Sequence, residues 1–206
     1  MSNYPKIDYS KVLKSGKVLA IVGSVSSAKS NNMFNMIEYL LEREKKVSCF
    51  VLHEEYKQIL GDRVTYFTTM EELEQLENSY IFVDEMGELL DFTNRKASHI
   101  KSIMRTFAQI EHNTNVLILC GVPDYFKKFI GKYIHDYIIH NSNLNEFINQ
   151  SPTKNFVTGI KGNFVGSTRI NTGVGNCYFQ GRLYSVPYNE KFDKKKGQYH
   201  KLYKGL

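Results

Sequence analysis

Cysteine is scarce in this 206-residue chain: Cys49, Cys120 and Cys177 are odd in number and far apart. That spacing offers neither a disulfide framework nor paired zinc ligands. Long hydrophobic runs are missing as well. The strongest, Val18 to Val22 and Val116 to Cys120, fall far short of the roughly 20 residues that cross a bilayer, which excludes a membrane-spanning role. The opening Met-Ser-Asn-Tyr-Pro-Lys has no apolar core behind a basic start, so no secretory signal is readable and a cytoplasmic location is expected. No internal repeat is visible. What remains is ordinary for a globular protein, with 42% hydrophobic and 23% charged residues, and its length argues for one domain with at most an appendage.

The net charge of +6 is unevenly spread. Residues 1–103 carry 13 Lys+Arg against 15 Asp+Glu, whereas residues 104–206 carry 14 against 6. A basic half attracts polyanions and speeds their encounter, and phosphate backbones are the commonest such partner. A solvated basic surface, with Lys194-Lys195-Lys196 as a soluble tail, explains the charge equally well, so charge alone does not decide for nucleic acid.

The pattern along the chain alternates strand and helix. Lys17 to Val22 reads as a buried parallel strand. After a loop, Met33, Met36, Ile37, Leu40 and Leu41 recur at helical spacing and predict about four turns of helix. Val47 to Leu52 and Val64 to Phe67 read as strands, Thr69 to Glu77 as a short helix, and Tyr80 to Val83 as another strand. Lys96 to Glu111 reads as a helix with Ile100, Ile103, Met104, Phe107 and Ile110 on one side, followed by a strand at Val116 to Cys120. This order predicts a mostly parallel sheet between helical layers, with ligands at the carboxyl ends of the strands. Asp136 to Ile139 reads as its last strand. From Asn155 onward, short aromatic runs separated by glycines (Phe156-Val157, Phe164-Val165, Tyr178-Phe179, Leu183 to Val186) predict a small antiparallel β appendage. The expected division is a core over 1–150 and a β-rich appendage with basic tail over 151–206, packed on that core.

Between the first strand and its helix lies Gly23-Ser24-Val25-Ser26-Ser27-Ala28-Lys29-Ser30, followed by Asn31. Backbone N–H groups in such a loop can wrap phosphates, the helix N-terminus adds partial positive charge, Lys29 can neutralise the outer phosphates, and Ser30 can ligate Mg²⁺. Here the chain resembles the P-loop NTPases, whose pattern is G-x-x-x-x-G-K-[S/T], with Ala28 in place of the second glycine. If that position needs positive φ, alanine costs on the order of 1–2 kcal/mol there, and its methyl crowds the phosphates. A second motif is Tyr80-Ile-Phe-Val-Asp84-Glu85, an apolar strand ending in an acidic pair. In P-loop enzymes such a pair lies beside the phosphate loop, which implies that Asp84 holds Mg²⁺ through its water shell and Glu85 activates the attacking water.

A glutamate directly after the metal-binding aspartate resembles the ATPase branch with an additional strand and a catalytic glutamate. No Asn-Lys-x-Asp occurs, so the guanine-reading element is absent and ATP is the expected nucleotide. The resemblance also implies a polar sensor at the end of the neighbouring strand, but Val116 to Cys120 ends in Gly121, leaving Asp124 or Ser27 as substitutes. A charge-stabilising arginine, often from a neighbouring subunit, is implied too. Arg95 and Arg105 are the candidates and Arg105 is favoured, although each singly also reads as an ordinary helix-surface charge.

Over Gly16 to Ile139 the order of elements resembles the HerA/FtsK-type ATPases, particularly viral and phage DNA-packaging motors. It is also similar to the zonula-occludens-toxin-like phage assembly ATPases. The resemblance implies an ATP- and Mg²⁺-dependent homo-oligomeric ring that translocates double-stranded DNA, with a capsid or portal protein as a further partner and the host cytoplasm as location. The implied catalytic residues are Glu85, Lys29 and Arg105, with Gly23 to Asn31 holding the nucleotide and Ser30 and Asp84 the metal. A nucleotide-binding scaffold with dulled hydrolysis is the alternative. A small-molecule kinase is disfavoured because no arginine-rich lid is apparent.

Overall fold

The computed structural model describes residues 4–24, 27–50, 54–90, 96–122, 131, 133–140, 142–143, 169–170 and 175–192. In chain order these form α1 (Tyr9–Val12), β1 (Val18–Val22), α2 (Lys29–Leu41), β2 (Val47–Phe50), α3 (Glu54–Leu60), β3 (Thr65–Tyr66), α4 (Met70–Glu74), β4 (Tyr80–Val83), α5 (Met86–Leu90) and α6 (Ala97–His112). There follow β5 (Val116–Gly121), β6 (Asp136–Ile139), the two-residue pair β7 (Ser142–Asn143) and β8 (Arg169–Ile170), and the hairpin β9 (Asn176–Phe179) and β10 (Arg182–Ser185).

An eight-stranded sheet runs β10-β9-β6-β1-β5-β4-β2-β3. From β6 to β3 every pairing is parallel. The apolar run of β1 has a simple cause: all five of its residues are buried, because the strand is covered on both faces. Val18, Ala20 and Val22 pack with Ile103, Phe107 and Ile110 of α6 on one face. Leu19 and Ile21 pack with Met33, Phe34, Met36, Ile37 and Leu40 of α2 on the other. The result is the expected three-layer α/β sandwich. α4 starts on a reciprocal cap, with Thr69 accepting from the Glu72 N–H and the Glu72 carboxylate accepting from the Thr69 N–H.

In space, β5 lies between the loop-bearing β1 and the acidic β4. One feature differs from the sequence expectation: β6 is not the last strand. β9 joins it antiparallel through Ile139 and Tyr178, and β10 pairs with β9. The reason is visible in burial: Tyr178 enters the core on one face and Cys177 and Phe179 the core on the other, so β9 is an interior strand of the main sheet. Among the expected appendage strands, Phe156-Val157 and Phe164-Val165 lie outside the described residues, as does most of the Tyr125 to Lys132 segment. The β10 edge is covered by the N-terminal segment, with Ile7 N–H donating to Ser185 O (3.0 Å) and Ser185 N–H to Pro5 O (2.8 Å).

Candidate functional site

The loop after β1 opens with Gly23, whose N–H donates to Gly121 O at the end of β5 (3.4 Å). Val25 and Ser26 lie outside the described residues. The loop closes on Ala28, which has φ 67° and ψ 25° and precedes α2 without a side-chain cap. The position is therefore left-handed. Glycine takes that conformation freely, whereas an L-residue carries a cost of about 1–2 kcal/mol.

Lys29 is only 6% exposed. Its ammonium turns back across the loop and donates to Ser24 O at 2.9 Å. The next residue faces the acidic strand: Ser30 Oγ donates to Asp84 Oδ1 at 3.1 Å. Thus the lysine-serine step and the acidic pair, 54 residues apart in sequence, meet at the carboxyl ends of β1 and β4. The strand between them, β5, ends in Gly121.

Asp84 is 1% exposed. Its N–H donates to Phe50 O (3.1 Å), which pins the end of β4 to β2. Glu85 is half-buried and has φ 51°, a second left-handed non-glycine residue at the site. The two neighbouring residues thus differ in burial, Asp84 in the interior and Glu85 partly exposed. Left-handed backbone does not by itself mark the site, since Glu44, Asn78, Thr114 and Gln180 share it.

Beneath the carboxylates lies Cys120, the penultimate residue of β5. Burial pushes its thiol well up, and the neighbouring Asp84 carboxylate, which accepts a hydrogen bond from it, pushes it further. The thiol stays protonated and acts as a donor. Sequence reading treated Cys120 as part of an apolar run; its place one residue before the strand end was the available signal.

The loop is also supported from the β6 side. His140, fully buried, follows β6, and its N–H donates to Val22 O (2.8 Å). Tyr9 Oη donates to Asn32 Oδ1 (2.9 Å), which orients the amide so that Asn32 Nδ2 donates to His140 Nε2 (3.0 Å). Burial, and secondarily the Lys29 ammonium, push the His140 pKa down to about 3, so the ring is neutral. Nothing in the sequence pattern marked this Tyr9–Asn32–His140 chain.

The remaining sequence candidates, and other polar, basic and aromatic residues, fall as follows. Arg105 lies midway along α6, 65% exposed, and pairs with Glu74 of α4 at 3.4 Å; Arg95 lies outside the described residues. Ser27 is buried, and its hydroxyl has no hydrogen-bond partner among the described residues; Asp124 lies outside them. Asn115 lies just before the amino end of β5, accepting from Ser79 N–H (2.9 Å), far from the loop as its place in the strand predicts. His99 is satisfied by Leu90 O (2.8 Å). Tyr178 and Phe179 are core residues. Of the basic residues, Arg182 is exposed, Lys191 pairs with Glu38, and Lys194 to Lys196 lie outside the described residues. Among the described residues no helix is long and apolar enough to cross a membrane.

No family model matches the chain, and no curated protein does. Solved structures do. The genome packaging NTPase B204 from Sulfolobus turreted icosahedral virus 2, in complex with AMPPCP, is similar over 84% of this chain and 100% of its own, with a TM-score of 0.57 at 13% identity. The pCW3 conjugation coupling protein TcpA, with ATPgS, is similar over 99% of this chain and 74% of its own, with a TM-score of 0.56 at 12% identity. EssC (ATPases 2 and 3) from Geobacillus thermodenitrificans is similar over 85% of this chain and 38% of its own, with a TM-score of 0.53 at 14% identity. At these identities the likeness is one of fold: a three-layer α/β architecture with a mostly parallel sheet and antiparallel strands toward its C-terminus.

Proposed function

We propose that this chain is an ATP-hydrolysing, DNA-translocating motor of the viral genome-packaging kind. The observation that carries the reading is the Ser30–Asp84 hydrogen bond, with Lys29 and Glu85 on either side of it. It is supported by fold neighbours that include a genome packaging NTPase and a conjugation coupling protein, each solved with an ATP analogue.

In this reading the loop from Gly23 to Asn31 binds the phosphates through its N–H groups, as the N-terminus of a helix is suited to do. Lys29 exchanges its contact with Ser24 O for the outer phosphates. Glu85, at the mouth of the site, accepts a proton from the attacking water, a contribution of typically 10²–10⁴ in rate. Asp84 stays buried and anionic to hold the metal. The donor set fits magnesium: one hydroxyl with one carboxylate suits an ion that keeps waters and phosphate oxygens as its other ligands. When bound, Mg²⁺ neutralises charge on the outer phosphates.

Arg105 then serves a neighbouring subunit of a homo-oligomeric ring, after release from Glu74. The basic second half supplies phosphate contacts for double-stranded DNA, and a capsid or portal protein is the partner that holds the ring. Phosphate release by the assembled chain, titrated with duplex DNA at low and high salt, tests this. DNA stimulation that fades at high salt is the expected result; hydrolysis indifferent to DNA at low salt overturns the motor. The methyl of Ala28 at a left-handed position favours one second reading, a nucleotide-binding scaffold with weak hydrolysis. Tight ATP binding without turnover in any assembly state would support it.

A further inference from the structure

Cys120 is a fully buried thiol that the reading above leaves without a task. The sheet puts it next to Asp84. β5 pairs with β4 through Leu119 and Val83, so the register carried one residue further sets Cys120 alongside Asp84. Side chains alternate along a strand, and Phe82, Ile118 and Cys120 all belong to the core under α2. Asp84, two residues on from Phe82, turns to that same face, where the first turn of α2 carries Ser30. The carboxylate is thereby reached from two directions: Ser30 Oγ donates to Oδ1 at 3.1 Å, and the Cys120 thiol donates from the neighbouring strand. Lys29 and Glu85 also act on the thiol through their charges, so it lies under the whole cluster.

The two donors are not equivalent. Ser30 sits on a helix, behind a loop that closes on the left-handed Ala28. Cys120 sits in the middle of the sheet, paired in register with Ile21 of β1 on one side and flanked by β4 on the other. A carboxylate that is 1% exposed has little water to turn to, so a donor fixed in the sheet sets the way it faces. A thiol suits the place. It packs as a small apolar side chain and still carries an S–H donor.

We infer that Cys120 is a positioning residue for Asp84, its S–H holding the carboxylate in the orientation that meets the metal. The inference rests on the Mg·ATP reading above and deepens it. Cys120 acts through Asp84 alone and touches neither nucleotide nor metal.

Calorimetric binding of a non-hydrolysable ATP analogue to the full chain, with and without Mg²⁺, tests it, because the ratio of the two affinities isolates the metal's share. Cys120→Ala should cut the gain that Mg²⁺ gives roughly tenfold and leave metal-free binding unchanged. Cys120→Ser keeps a donor and should retain most of that gain, although a hydroxyl costs more to bury than a methyl. Packing alone predicts no such split, since both substitutions leave nearly the same space unfilled. Urea unfolding establishes that each variant is folded, and Cys120→Val, donorless and larger, takes the place of Cys120→Ala if that variant is not. The inference is overturned if Cys120→Ala keeps the wild-type gain, if its metal-free binding falls as far as its Mg²⁺-dependent binding, or if Cys120→Ser loses the gain along with it. A wild type that binds the analogue no better with Mg²⁺, or not at all, overturns the Mg·ATP reading and this role with it.

Discussion

His140 is wholly buried at the end of β6 and neutral, with Nε2 accepting from Asn32 and its pKa at about 3. In the unfolded chain the same ring titrates at about 6.5. Between those values the unfolded state binds a proton that the native state does not, so stability is complete above about pH 6.5 and falls as the pH drops toward 3. Working this through from pH 7 to pH 5 gives a loss of about 2 kcal/mol. For a chain of this size that corresponds to roughly 4–8 °C in Tm. Asp8, Glu38 and Glu72, whose carboxyls are held below their usual values, add their own losses only as the pH approaches the ordinary carboxylate range. Urea unfolding at pH 7, 6 and 5 measures the slope directly. His140→Gln keeps an acceptor for Asn32 and removes the titration, so its stability should be nearly flat over that interval. A variant that declines as steeply as the wild type, or a wild type that does not decline, would refute the assignment.

Other outcomes follow from the same contacts. Ala28→Gly relieves about 1–2 kcal/mol of left-handed strain and gives up about 0.8 kcal/mol of methyl burial plus some chain entropy, so urea unfolding should move by less than about 1 kcal/mol while ATP binds more tightly. Ala28→Val, β-branched at φ 67°, should lose more than that, and equal stabilities for the two would contradict the strain. Lys29→Met should abolish the rise in Tm that ATP gives the wild type, which corresponds to about 2.7 kcal/mol at a hundredfold excess over Kd; a retained shift would place the phosphates elsewhere. Cys49, Cys120 and Cys177 are all buried and their thiols are held protonated by burial, so an aromatic disulfide reagent should titrate none in the native protein and three in denaturant.

The sheet was legible because its strands are covered on both faces, and runs such as Val18 to Val22 and Val116 to Cys120 therefore carry no polar residues. The loop at 23–31 and the acidic pair were legible because each is contiguous and sits where a strand ends. What escaped the sequence is what spans it. The hairpin at 176–185 looked like a separate meander because short aromatic strands between glycines give no sign of which strand they will join. The Asn32–His140 contact, and those of Asn31, Asn35 and Glu38 with residues 187–191, join positions more than 100 apart, and each side chain alone reads as an ordinary polar one. Ala28 is the reverse case: its departure from the loop pattern raised the question of positive φ, and the backbone there is indeed left-handed.

The central claim is that Lys29-Ser30 and Asp84-Glu85 act on one bound ATP. Its most direct test is paired ATP binding and phosphate release by assembled wild type and Glu85→Gln in the presence of magnesium. The account predicts undiminished binding with release slowed on the order of a hundredfold or more. Release by Glu85→Gln at the wild-type rate would contradict it.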